Sequence, residues 1–185
     1  MVQVLLSGGV IIYPTDTIYG LGCSIHNHKA IEAIAAIKHI KPEKANFSFV
    51  CSDLSNLSDY TKSINTPTYR LLKEHLPGPY TFILPASKQV PKILQTKKST
   101  IGLRIPNNVI PLAIVKELGH PILSASLPGE YVEEYTDPDI INDNFGSKVQ
   151  LVIDGGIGGI VPSTIVDLTG DEPVVMRQGQ GLWLH

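Results

Sequence analysis

Short β-branched runs alternate with helix-spaced segments along the whole chain, and this alternation narrows the fold before composition is considered. Val10–Tyr13 (VIIY) follows Gly8-Gly9 and reads as a buried strand. Lys29–His39 places Ile31, Ile34, Ala35 and Lys38 at helical spacing and reads as an amphipathic helix. Asn46–Cys51 alternates as a strand does. Thr66–Leu76 reads as a helix: Pro67 stands near its start, where a missing N–H costs nothing, and Pro77-Gly78 stops it. Tyr80–Leu84, Thr100–Ile105 and Pro121–Ala125 read as strands, and Val90–Gln95 as a short helix or turn. Val109–Leu118 is a helix closed by Gly119, and Pro138–Phe145 a short helix with Asp137 as N-cap. Val149–Ile153, Ser163–Asp167 and Pro173–Met176 close the chain as strands with no helix between them. Leu127–Thr136, acidic and marked by Pro and Gly, reads as a surface loop. About seven strands with flanking helices predict an α/β (α+β) fold, an open mixed sheet in a single domain spanning 1–185.

Composition bounds the chemistry. Hydrophobic residues make up 43 % and charged residues 17 %, enough apolar material for a core and too little charge for disorder. A net charge of −2 argues against a polybasic binder held by bulk charge, though not against a local basic site. Only three of the 15 basic residues are Arg (Arg70, Arg104 and Arg177), so where they fall is informative. Cys23 and Cys51 stand in apolar stretches and read as free buried thiols. Neither has a second ligand at metal spacing, so no metal site is expected. No stretch approaches the ~18 apolar residues that span a bilayer, which predicts a cytoplasmic chain with no membrane contact.

Six segments carry polar groups that could do chemistry. In Tyr13–Gly22 (YPTDTIYGLG) a strand runs into Thr15, Asp16 and Thr17, and Gly20 and Gly22 could let backbone N–H groups approach a ligand. The alternative is a capped turn. Lys38–Lys44 (KHIKPEK) places three lysines at a helix end, either complementing its dipole or binding phosphate. Arg104 lies in the apolar run GLRIP, so its guanidinium must meet an ion-pair partner, a cleft or water. Ser124 and Ser126 in LSAS project from one strand face. Ser163 and Thr164 begin a strand after a Gly-rich turn that lacks the GK[ST] ending of a P-loop. Arg177 leaves a strand beside two glycines in MRQGQG. Together these hydroxyls, lysines and arginines at strand ends describe a pocket for an anionic, phosphate-bearing ligand.

In this order, GGVIIYPTDTIYGLG, IKHIKPEK, LPGPYTFIL, IGLRIP, ILSAS, PSTIVD and MRQGQG resemble the YrdC-like threonylcarbamoyl-AMP synthases, most of all the YciO-type branch. The motifs span Gly8 to Gly181, and with so few residues after them the second domain of longer relatives is not expected. The resemblance implies a twisted mixed sheet with a positively charged face. It implies condensation of L-threonine, bicarbonate (or CO2) and ATP.

ATP is thus the one nucleotide implied, with Mg²⁺ accompanying it, and the products are threonylcarbamoyl-AMP and pyrophosphate. The threonine amine takes up carbon dioxide and the carbamate oxygen attacks the α-phosphate, so positioning and charge neutralisation carry the chemistry and no side-chain nucleophile is needed. The resemblance also implies tRNA threonylcarbamoyladenosine formation and, as an alternative, binding of tRNA or double-stranded RNA with little catalysis. By position it assigns Thr17, Tyr19, Arg104 and Ser163 to threonine, and Lys38, Lys41, Ser124, Ser126 and Arg177 to the nucleotide and its phosphates. Two departures point to weak adenylation. The K-x-R of adenylating relatives is Lys38-His39-Ile40 here, with Lys41 one place further on, and their S-x-N is Ser124-Ala125-Ser126.

Overall fold

The computed structural model describes residues 1–42, 45, 47–94 and 99–184. In chain order its elements are α1 (Val2–Leu6), β1 (Ile11–Tyr13), β2 (Gly20–Ser24), α2 (His28–Ile37), β3 (Ser48–Val50), α3 (Leu54–Asp59), α4 (Thr66–His75), β4 (Tyr80–Pro85), β5 (Thr100–Arg104), α5 (Val109–Leu118), β6 (Ile122–Ser126), α6 (Pro138–Phe145), β7 (Leu151–Val152), β8 (Thr164–Asp167) and β9 (Val174–Arg177). Five helices begin at a side chain that accepts a backbone N–H: Asn27, Asp53, Asn65, Asn108 and Asp137. Helix α5 ends at Gly119 in the left-handed region, φ 78°. Helix α2 ends in paired reverse bonds, Ile40 N–H to Ala35 C=O and His39 N–H to Ala36 C=O, with His39 at φ 53°.

The strands form one mixed sheet in the order β7-β1-β2-β6-β3-β5-β4-β8-β9. Pairings β1–β7, β3–β5 and β4–β8 are parallel and the others antiparallel. One face is apolar throughout. Ile12, Leu21, Leu123, Phe49, Leu103, Phe82 and Val166 pack there with Ile31 and Ile34 of α2, Leu57 of α3, Leu72 of α4 and Ile141 of α6. The opposite face is divided. Ile11, Tyr13, Val50 and Ile122 lie under Leu5 of α1 and Ile114, Val115 and Leu118 of α5. One step of two residues along the same strands, the side chains turn polar: Ile122 gives way to Ser124 and Ser126, and Val50 to Ser48. A row Gly22–Ser124–Ser48–Gly102–Ile83 crosses five strands on this uncovered half.

The sheet is open and mixed as expected, with nine strands among the described residues rather than about seven. The strand hidden in the sequence is β2, whose GLGCS lacks the β-branched residues that mark a strand. Helices α1 and α3 were also not expected. Leu127–Thr136 is not wholly irregular, because Val132–Tyr135 forms a 3-10 turn. The expected strand Asn46–Cys51 begins at Ser48 among the described residues, and Asn46 lies outside them, as do Lys44 and Gln95. No helix among the described residues is long and apolar enough to cross a membrane.

Candidate functional site

The uncovered half of the polar face holds a cavity of about 430 Å³, within the range of small-molecule sites. Its polar lining comes from Ser124 and Ser126 of β6, Ser48 of β3, Thr100 and Arg104 of β5, Thr81 of β4, Ser163 before β8 and Arg177 of β9. Ile18, Phe47, Ile83, Leu94, Ile165 and Met176 supply apolar walls. No acidic residue is among the described residues that line it.

Arg104 sits at the polar end. Its Nη2 donates to Asp16 Oδ1 at 2.8 Å and to Thr17 Oγ1 at 3.1 Å, and both side chains of the ion pair are 9 % exposed. Asp16 Oδ2 accepts the Asn107 backbone N–H at 2.9 Å, so the carboxylate is fixed at both oxygens. Thr15 donates to the Ile18 carbonyl, leaving Thr17 as the donor in the 3.0 Å contact between the two hydroxyls. Thr17 therefore meets Arg104 with a lone pair. The Arg104 Nε is buried and has no partner among the described residues, although a buried N–H ordinarily finds one.

Arg177 stands at the next edge of the cavity. Nε and Nη2 both donate to the Ser163 carbonyl, at 3.1 and 2.8 Å, and Ser163 Oγ shares a 2.9 Å hydrogen bond with Thr81 Oγ1. Burial first, and the Arg104 charge second, hold the Arg177 pKa below the ordinary arginine value. Two arginines thus face one cavity, and among the described residues a single carboxylate, Asp16, is paired with one of them, Arg104. The imbalance favours an anionic ligand.

Other expected residues fall in different places. Thr17 does not line the cavity and is 1 % exposed, so it acts on Arg104 from behind. Tyr19 lines the wall, but its hydroxyl points elsewhere, donating to Gly156 C=O at 2.7 Å and accepting Gly155 N–H at 3.0 Å. It anchors the Gly-rich turn. Lys38 Nζ donates to the Ser126 carbonyl at 2.6 Å, tying α2 to the end of β6, and burial lowers its pKa. Lys41 is exposed, and neither lysine is among the lining residues. Arg70 is exposed on α4. Gly20 lines the cavity, and Gly22 does not. A Cβ on Gly22 would lie 2.7 Å from the Tyr13 ring, and one on Gly20 3.3 Å from Ser124 Oγ. Gly22 clears a path for Tyr13 to reach across β2 and donate to Ser124 Oγ at 2.6 Å. Asp16, Thr81 and Ser48 complete the site without having been assigned to it. Asp16 was visible as the one carboxylate in the first turn, but its pairing with Arg104 spans 88 residues.

The model of the Sua5, YciO and YrdC domain, described as "Telomere recombination", matches residues 3–179. The chain belongs to the Sua5/YciO/YrdC family. It is similar to the crystal structure of E. coli YciO with a TM-score of 0.90 and 45 % identity, over 97 % of this chain and 87 % of that one. A threonylcarbamoyl-AMP synthase of Coxiella burnetii is 31 % identical over 157 residues, 85 % of this chain and 84 % of the relative. The crystal structure of P. abyssi Sua5 complexed with L-threonine has a TM-score of 0.85 at 28 % identity, and this chain, covered to 96 %, spans only 52 % of it.

Proposed function

We propose that this family member makes threonylcarbamoyl-AMP from L-threonine, bicarbonate or CO2, and ATP, supplying the group for N6-threonylcarbamoyladenosine in tRNA. One observation carries the reading: Arg104 and Arg177 both line one cavity that has no lining acid among the described residues. A carboxylate is the natural partner of a guanidinium, and Asp16 and Thr17 hold that of Arg104 in place. Arg177, Ser163 and Thr81 form the neighbouring wall, where phosphate oxygens or the forming carbamate would meet charge and hydroxyls. The threonine bound by P. abyssi Sua5 and the activity named for the Coxiella relative support the assignment.

Magnesium enters this scheme with ATP, as substrate. Among the described residues no group of three or more His, Cys, Asp or Glu could hold a metal, and Asp16 is engaged by Arg104 and Asn107. These residues do not fit a protein-held ion. Ile40 and Ser126, at the places of the missing Arg and Asn, make the proposed reaction slow.

Calorimetry on Arg104 variants tests the assignment. Arg104→Ala should abolish threonine binding and leave ATP affinity within about threefold, and Arg104→Lys, which keeps the charge without the fork, should weaken threonine at least tenfold. Equal loss of both ligands would mean that Arg104 does not receive the carboxylate.

A further inference from the structure

Tyr13 is 0 % exposed, and its hydroxyl has a single hydrogen-bond partner among the described residues, Ser124 Oγ at 2.6 Å. Burial pushes its pKa up to about 12, so at neutral pH it carries its proton. A fully buried O–H with one available acceptor has to donate to it. Ser124 Oγ makes no other hydrogen bond among the described residues, and Ser124 lines the cavity. A serine hydroxyl has one proton. With one lone pair taken by Tyr13, that proton turns away from Tyr13.

We propose that Tyr13 is a positioning residue: it fixes Ser124 as a hydrogen-bond donor aimed into the cavity, ready for an oxygen of the bound ligand. This rests on the ligand site proposed above. Gly22 is part of the device, because a Cβ there would lie 2.7 Å from the Tyr13 ring and block its path over β2. Without Tyr13 the hydroxyl is free to sample three staggered positions, only one of which serves the ligand. The loss of orientation corresponds to about threefold in affinity, and loss of the polarisation that Tyr13 provides adds to it.

A cycle of Tyr13→Phe, Ser124→Ala and the double variant, titrated with L-threonine and separately with ATP and Mg²⁺, tests this. Tyr13→Phe keeps the ring and should weaken at least one of the two ligands about three- to tenfold in the Ser124 background. It should have no effect on that ligand in the Ser124→Ala background. A merely structural Tyr13 would weaken both backgrounds equally, and that result overturns the proposal. Neutron diffraction from crystals of the unliganded wild type in deuterated buffer reads the same point without a ligand. The Tyr13 deuterium should lie toward Ser124 and the Ser124 deuterium toward the cavity, whereas a Ser124 deuterium on the Tyr13 side contradicts the proposal. If the wild type binds neither ligand, the functional reading fails while the neutron map still decides the role of Tyr13.

Discussion

Replacing Asp16 by Ala removes the counter-charge of Arg104 and leaves the guanidinium in place. Both partners of this 2.8 Å pair are 9 % exposed, so water cannot make good the loss. Breaking a buried pair by deleting one partner costs about 3–5 kcal/mol, because the remaining charge is left uncompensated. Here Nη2 keeps Thr17, but the Asn107 N–H loses its acceptor. For a chain of 185 residues, about 2–4 °C per kcal/mol converts this to a fall in Tm of roughly 6–20 °C. Denaturant unfolding of wild type, Asp16→Ala, Arg104→Met and the double variant is the assay. The double variant exchanges the ion pair for apolar packing, which is often neutral, and should recover most of the loss. Additive effects, with the double variant no more stable than Asp16→Ala, would refute the claim that the two charges hold each other.

Tyr13 predicts an alkaline instability. Its folded pKa is raised to about 12 from the ordinary 10, so the unfolded chain releases this proton first. The stabilising contribution is complete below pH 10 and is lost as the pH rises toward 12, by about 2–3 kcal/mol in all. Unfolding curves of Tyr13→Phe should show a shallower decline over that window, and parallel curves would contradict the burial. Tyr19→Phe should destabilise by about 1–3 kcal/mol through the lost bonds to the Gly-rich turn, and hydrogen exchange should quicken at Gly155 and Gly156. Ile40→Arg with Ser126→Asn restores the two residues of the adenylating pattern. It should raise the rate of pyrophosphate release at least tenfold, and no gain would show that these positions do not limit it.

The open mixed sheet was legible because most of its strands are rich in Val and Ile and the helices between them show apolar residues at helical spacing or Pro and Gly at their ends. Strand β2 was not, because its glycines answer to Tyr13, a neighbour on β1, rather than to local propensity. The pocket as a meeting place of Arg104, Ser124, Ser163 and Arg177 was legible from hydroxyls and arginines at strand ends. The separate tasks of Thr17 and Tyr19 were not. They depend on which hydroxyl donates to which acceptor across the fold, as with Tyr19 and Gly156, 137 residues apart. Lys38 read as a phosphate ligand from its place at a helix end, and the structure gives its ammonium a backbone carbonyl to hold.

Incubation of the protein with ATP, Mg²⁺, bicarbonate and L-threonine, with pyrophosphate measured, tests the central claim most directly. The account predicts release that requires threonine, is slow in the wild type and is lost in Arg104→Ala. Pyrophosphate no higher than in the control without threonine would contradict it.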